Sequence, residues 1–330
     1  MLFNRDAPPA ELRENDMVKL VIPPSSPPYT HFFEIIREMV ESQIAVTMEK
    51  TGKSRDVVCK DVLKHYQRMS GQWTCGRKPQ IAYHDPICRT AYLYGIVPAF
   101  ANLVEYVFRR DTELATHFLK VHRGKGKVSI CAFGGGPGTE LLGVAKWVEK
   151  NTKPGEQVSI EYLLLDKVNE WLESWRAIKN AIESRFRKNI SRFRKDWPLV
   201  LSGDFSKIDI TDTSGFGNLG SLFEQDIFVL SYVVSEVFSE VEELTEFSTE
   251  VANNAPIGSK FVFIDRAGDT WKNDVTRLAK NAGLRLSAFR ETKTNMDTDE
   301  ESSHLGSLIH DIGWNPKLTW NAFWVVGTKE

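Results

Sequence analysis

Cysteine is scarce in this chain. Four occur in 330 residues, Cys59, Cys75, Cys88 and Cys131, and no two stand at C-x-x-C spacing. That spacing excludes the common zinc ribbons, and the scatter suits free, buried thiols in a reducing compartment rather than a disulfide framework. No metal site is expected. Long apolar runs are missing too. None approaches the ~20 residues that cross a bilayer, so no membrane partner is expected. Nor is there an excess of one charge. A net charge of -2 gives no overall field toward nucleic acid, and an anionic partner has to meet a local patch. The N-terminal MLFNRDAPPAELREND mixes both signs without an apolar stretch. It resembles neither a signal peptide nor an Arg-rich transit peptide, and a cytoplasmic or nuclear location is expected.

What remains is the composition of an ordinary globular protein, 42% hydrophobic and 26% charged. Residues 1–29 read as a flexible arm, since Pro23, Pro24, Pro27 and Pro28 block helix and sheet. Residues 30–120 read as a helical region. Thr30 is placed to cap a first helix, whose apolar positions Phe33, Ile36, Met39, Ile44 and Met48 recur at roughly helical spacing. Ser54 is placed to cap a second. Asp85-Pro86 is a strong start signal, Asp at N-cap and Pro at N1, and Pro98 should interrupt the helix that follows.

The pattern changes near Lys127. VSICAF, IEYLLLD, DIFVLSYVV and KFVFID are continuous apolar runs separated by amphipathic stretches. Such alternation indicates a parallel sheet covered on both faces. GLRLSAFRET and NAFWVVGTKE, with no clear helix between them, suggest an antiparallel ending. Residues 121–330 are therefore read as one α/β domain.

VSICAF feeds directly into GGGPGTELLGVAKW. Glycines 134, 136 and 138 permit a tight turn with positive φ and let a ligand approach bare backbone, at the free N–H groups of the next helix. A phosphate-cradling P-loop needs Lys-Ser/Thr after its last glycine, and Thr139-Glu140 stand there instead. A dinucleotide fingerprint needs G-x-G-x-x-G, which also fails. The turn is G-x-G-x-G. Two acids follow at strand ends. Asp166 is placed to accept the hydroxyls of a ribose. Asp204, in LSGDFSKID, is placed to take an adenine amino group, with Phe205 on the adenine face. Either acid alone serves equally well as a cap or turn residue. Their joint order, glycine turn, strand-end Asp, then G-D-F, is what favours a ligand site over separate caps.

On these residues the stretch 127–266, extended by the antiparallel ending, resembles the class I, Rossmann-like S-adenosylmethionine (SAM)-dependent methyltransferases. The resemblance implies a seven-stranded, mostly parallel sheet with the last strand inserted antiparallel, and SAM as cofactor. It implies cofactor contacts from Phe133, Gly134, Gly135, Gly136, Gly138, Glu140, Asp166, Lys167, Asp204, Phe205 and Ser231. One departure stands out. The family's usual acid two residues before the first glycine is Ala132 here, with Glu140 as a candidate replacement. A narrower likeness, carried by FGGGPGTELLG, is to the fungal large-subunit rRNA uridine-N3 methyltransferases and implies an RNA acceptor.

Substrate chemistry belongs at the end of LSYVVSEVFSE. No N/D-P-P-Y/F tetrad and no P-C dipeptide occur. Alignment of donor and acceptor then does most of the catalysis, with Glu236 as the candidate base and Tyr232 beside it. Glu236 can equally begin a solvated acidic helix. Asp265 and Arg266 are candidates for the mouth of the site or for an internal ion pair. Tyr83 and Tyr92 are candidates to stack on the acceptor or to pack between helices. Residues 176–195 carry eight Lys/Arg against the single acid Glu183, a surface for phosphates or a solvated helix face. MDTDEESSH (296–304) reads as a mobile loop. RNA is the leading acceptor, a small molecule or protein the first rival, and a non-catalytic SAM-binding scaffold the second.

Overall fold

The structure is a computed structural model that describes residues 32–74, 81–151, 156–193, 199–212, 220–295 and 304–330. The arm, Thr30, Cys75 and most of 296–304 lie outside the described residues.

Five helices come first: α1 (Phe32–Thr51), α2 (Arg55–Thr74), α3 (Pro86–Gly95), α4 (Val97–Arg110) and α5 (Thr112–Lys125). Their starts follow the local chemistry. The carbonyl of Ser54 accepts the Val57 and Val58 N–H groups in the first turn of α2. Asp85 caps α3, accepting the Ile87 N–H at 2.8 Å, with Pro86 at the first turn. Asp111 caps α5 through Leu114, and Gly126 ends it in the left-handed region. The expected interruption near Pro98 is a bend of 48° between α3 and α4. It lies at Gly95–Ile96, and Pro98 sits in the first turn of α4, where its missing N–H costs nothing. Gly95 is needed at the elbow, because a Cβ there would stand 2.3 Å from the Tyr66 ring.

The sheet follows: β1 (Val128–Phe133), α6 (Thr139–Asn151), β2 (Val158–Asp166), α7 (Trp171–Phe193), β3 (Leu199–Ser202), β4 (Phe205–Lys207), β5 (Ile227–Ser231), α8 (Val233–Glu236), α9 (Val241–Asn254), β6 (Lys260–Arg266), α10 (Asp269–Asn281), β7 (Leu284–Leu286), β8 (Arg290–Asn295), α11 (Leu308–Ile312) and β9 (Thr319–Lys329). The strand order is β3-β2-β1-β5-β6-β9-β7, with β4 also on β2 and β8 also on β9. β1 to β6 pair in parallel, and β9 enters antiparallel beside β6. Because β3 with β4, and β7 with β8, each occupy one lane, the nine segments make the expected seven-lane Rossmann-like sheet. β1, β5 and β6 are buried along nearly their whole length, as strands covered on both faces must be.

The edge lane formed by β3 and β4 is broken at Gly203, whose φ is 125°. A Cβ there would fall 1.9 Å from the Tyr162 carbonyl oxygen. The strand resumes at once, pairing Phe205 with Leu164 and Lys207 with Asp166.

One apolar core joins the helices to one face of the sheet, from Phe33 and Val40 through Leu103 and Val104 to Ile130, Trp175 and Trp324. α4 lies hard on α6. A Cβ at Gly143 would meet the Ala101 carbonyl oxygen at 2.4 Å, so the backbones themselves touch. The second core, around Phe133, Phe228, Phe247 and Phe261, fills the other face. Arg55 ties α2 to α1 through Glu41 (2.7 Å) and to α11 through Asp311 (2.8 Å).

Candidate active site

β1 ends at Phe133, and the chain turns through Gly134, Gly136 and Gly138 with φ of 59°, 51° and 91°. All three lie in the left-handed region that favours glycine. The Gly138 N–H donates to the Gly135 carbonyl at 2.9 Å and closes the bend. Space around the three differs. At Gly138 a Cβ would meet Trp175 at 2.8 Å, whereas at Gly136 the nearest side chain, Trp171, stays 3.8 Å away. The bend is therefore packed underneath and open above.

Above it lies a cleft open to solvent. Its walls are Gly134, Gly135, Gly136, Thr139 and Glu140 from the bend, Asp166, Lys167, Val168 and Trp171 after β2, and Ile208, Asp209 and Ile210 after β4. Ser231, Val233, Glu236 and Val237 close it after β5, and Tyr83, Tyr92 and Phe100 roof it from the helices. The cleft stands at the carboxyl ends of the strands, where strand order reverses between β1 and β5, the general ligand position of such sheets. The roof is held firmly. Arg89, buried in α3, donates to the carbonyls of Tyr83 (2.8 Å) and His84 (3.0 Å). The rings of Tyr83, Tyr92 and Trp171 pack on one another with centroids 5.4–5.6 Å apart.

Four acids line this space, Glu140, Asp166, Asp209 and Glu236, and three of them are strongly shifted by burial. Asp166 is fixed by two backbone donors, Gly136 at 2.9 Å and Val168 at 2.8 Å. Burial raises its pKa to about 6, and those two N–H bonds oppose the rise. Burial pushes Glu140 up to about 8, helped by the negative charges of Asp166 and Glu236. Burial brings Glu236 to about 7, with Arg266 acting against it and Asp265 and Asp166 with it. Two buried oxygens on the wall, Thr139 Oγ1 and Glu140 Oε2, have no hydrogen-bond partner. Polar atoms so placed ask for a ligand or water. A cleft with protonatable acids and unpaired oxygens takes a cation readily, because the acids ionise as it enters.

The structure thus gathers Gly134, Gly135, Gly136, Glu140, Asp166, Lys167, Ser231, Glu236, Tyr83 and Tyr92 around one space. Seven other sequence candidates stand off it. Phe133 points into the far core, edge-on to Phe228 and Phe247. Gly138 is covered by Trp175. Asp204 sits at the break in the β3–β4 lane, where its carbonyl accepts the Leu164 N–H at 3.0 Å, and Phe205 packs on the helical core. Because the strand resumes after Gly203, the acid that reaches the cleft is Asp209. Tyr232 is buried with its ring stacked on Phe100, centroids 3.9 Å apart. Asp265 is 1% exposed and holds the Ser235 N–H at 3.0 Å and the Arg266 N–H at 2.7 Å, a structural clamp rather than a mouth residue. Arg266 lies behind Glu236 and off the wall.

Asp209, Trp171 and Phe100 were not singled out in the sequence. The acids of KIDITD are a signal of sorts for Asp209, but Trp171 and Phe100 look like any buried helical aromatic. The position of Ala132 also has an account. Gly135 turns back over it, so that even a Cβ on Gly135 would stand 3.0 Å from the Ala132 Cβ. The small side chain thus packs directly under the bend, and the carboxyl on the wall nearest the bend is Glu140 in the first turn of α6.

No protein-family model matches the chain, and none of the curated proteins matches it. Solved structures do. An O-methyltransferase family protein from Burkholderia thailandensis is 12% identical, with 81% of this chain and 68% of that chain covered and a TM-score of 0.41. A SAM-dependent methyltransferase from Methanosarcina mazei is 10% identical, covering 62% of this chain and 92% of its own, with a TM-score of 0.38. The plantazolicin methyltransferase BpumL, solved with SAH, is 10% identical, covering 88% of this chain and 100% of its own, with a TM-score of 0.34.

Proposed function

We propose that this chain is a SAM-dependent methyltransferase with a small-molecule acceptor. One observation carries the reading. An open glycine bend at the switch point of the sheet faces two partnerless buried oxygens and a ribose-type acid, Asp166. SAM suits this cleft: it needs close approach to bare backbone, acceptors for an ammonium, and acids near a sulfonium.

In this reading Gly134 and Gly135 cradle the methionine end, and Glu140 Oε2 with Thr139 Oγ1 receive its polar groups. Each oxygen of Asp166 spends one lone pair on a backbone N–H, which leaves the second pair for the ribose hydroxyls. Ile208 and Ile210 provide the apolar slot for adenine, with Asp209 at its edge. When bound, SAM supplies a methyl group on cationic sulfur, and the C–S electron pair returns to sulfur as the acceptor's lone pair takes the carbon. Tyr83, Tyr92, Phe100 and Trp171 enclose the acceptor and exclude water. Glu236, with a pKa of about 7, takes the proton that the acceptor loses.

A small acceptor is preferred to RNA on the geometry of α7. The helix begins at the cleft with Trp171 and runs away from it, so residue 187 lies about 24 Å along its axis, at 1.5 Å per residue. The side chains of the basic run beyond Ser184 lie outside those described. The test has two stages. Calorimetry with SAM and SAH should show stoichiometric binding. Incubation with tritiated methyl-SAM and separated metabolite, protein and RNA fractions should then label the metabolites. Label in RNA alone would overturn the acceptor class. Binding with no label in any fraction would leave a SAM-binding scaffold.

A further inference from the structure

The two ends of the cleft differ in chemistry. The cofactor end carries Glu140, Asp166 and Asp209. Lys167, the only cation among the described lining residues, stands 3.9 Å from Asp209 at that end. The acceptor end is walled by Tyr83, Tyr92, Phe100 and Trp171, with Ser231 and Glu236. Among the described residues no lysine, arginine or histidine lines it. Its one charged group is therefore an acid.

The rings are not laid flat on one another. Tyr83 and Tyr92 meet at 87°, and Trp171 is tilted to them by 51° and 58°. Rings set this way make a corner, which suits a compact group better than a flat ring. Glu236 belongs to the same corner. After burial, its charge is what most raises the Tyr83 and Tyr92 hydroxyls, which places the carboxyl near both. Asp166 and Asp265 each hold two backbone N–H groups, whereas the Glu236 carboxyl holds none among the described residues. Arg266 lies behind it, coupled to Asp265 as well, and favours its ionised form. An unclamped acid among aromatic rings attracts a cation twice over, by its own charge and by the negative faces of the rings. An anionic acceptor is repelled by both, and a neutral one gains from neither.

We infer that the acceptor is a small amine, with its ammonium group seated against Glu236 in the corner of Tyr83, Tyr92 and Trp171. The reaction, though not the binding, rests on the methyltransferase reading. The ammonium gives one proton to the Glu236 carboxylate, which becomes a carboxylic acid. The nitrogen lone pair so freed takes the methyl carbon, and the C–S electron pair goes to sulfur. The products are a methylated ammonium and SAH, and Glu236 returns its proton to water when the site opens. Burial among the rings and the nearby sulfonium both disfavour the charged amine, which eases that first proton transfer. The product is again a cation, so the same corner accepts it.

The probes are benzylamine, benzyl alcohol and benzoate, which share a phenyl ring and differ in charge. They are titrated by calorimetry into the full chain, with and without SAH. Benzylamine should bind at least about tenfold more tightly than benzyl alcohol, and benzoate most weakly. Glu236→Gln should raise the benzylamine Kd at least about tenfold, with the SAH Kd within about threefold of wild type. Tyr83→Leu should weaken benzylamine about fivefold by removing a ring face, and Tyr83→Phe should keep it within about twofold. The Tyr83→Phe and Glu236→Gln results decide the matter even if Tyr83→Leu fails to fold. With tritiated methyl-SAM, label should enter the cationic metabolites. Benzylamine bound no more tightly than benzyl alcohol, or with a Kd unaltered in Glu236→Gln, would overturn the inference. Label confined to acidic metabolites would do the same. If SAH fails to bind while the amine preference holds, the cofactor reading is wrong and the cation pocket stands. If SAH binds and the amine preference is absent, the inference alone falls.

Discussion

The two halves of the sheet use one device for opposite ends. In each, a strand runs up to a turn, a helix follows, and an aspartate at the end of the neighbouring strand clamps backbone N–H groups. Asp166 on β2 holds Gly136, and Asp265 on β6 holds Ser235. The first residue past the strand even has the same backbone setting, φ of 59° at Gly134 and 61° at Tyr232. What differs is the side chain. Glycine leaves a hollow over the first turn, whereas at the second a tyrosine takes a conformation that costs roughly 1–2 kcal/mol for an L-residue and drives its ring against Phe100. The same acid is thus a ligand candidate in one half and a buried brace in the other. Neither the strand-end position nor the burial of an acid distinguishes the two roles; the volume beside it does.

The sharpest way to break this comparison is to fill the hollow. Gly136→Val should abolish SAM binding, a loss of at least about 100-fold in Kd. The left-handed setting costs about 1–2 kcal/mol, so the Tm should fall only moderately. Unchanged SAM affinity in calorimetry would falsify the placement of the site. Exchanging the braces comes next. Asp166→Ala and Asp265→Ala each leave two backbone donors without their acceptor, at about 1–3 kcal/mol for each buried orphan. Both should therefore lower the Tm. Asp166→Ala alone should also cost ~10–100-fold in SAM affinity, and equal losses in the two variants would mean that the halves are not distinguished by ligand.

A smaller effect follows from three of the cleft acids, Glu140, Asp166 and Glu236. Their folded-state pKa values lie above those of the unfolded chain, so the empty protein is favoured at low pH. Its stability should decline as pH rises from about 4 through about 8. A cation in the cleft reverses the preference, so SAM should bind several-fold more tightly toward pH 8 and release protons as it does. Calorimetry in buffers of different ionisation enthalpy reads that release, and zero release would mean the acids do not face the cofactor. The least effect is expected from Tyr232→Phe. The hydroxyl has no part in the cleft, and the ring stack survives the change. The methyl-transfer rate should stay within about twofold of wild type, and a loss beyond tenfold would restore Tyr232 as a catalytic group.

Much of this was legible in the chain. Asp85-Pro86 capped its helix, the four apolar runs became parallel strands, and the glycine turn sat where G-x-G-x-G said it should. These are local signals, decided within a few residues. The misplacements were decided at a distance. Asp204 looked like a strand-end acid, and only pairing with β2 shows the lane continuing to Lys207. Asp265 ends its strand as Asp166 does, and its role turns on what occupies the neighbouring loop. Trp171 and Phe100 are placed by contacts between far-separated segments, for which no short pattern exists.

The roof of the cleft has a kinetic consequence. Tyr83 and Phe100 come from the first third of the chain and Glu236 from the last, so no fragment and no half-assembled intermediate possesses the hollow. Ligand capture should then report the last event of refolding, with a signal from Trp171 that trails recovery of helical ellipticity.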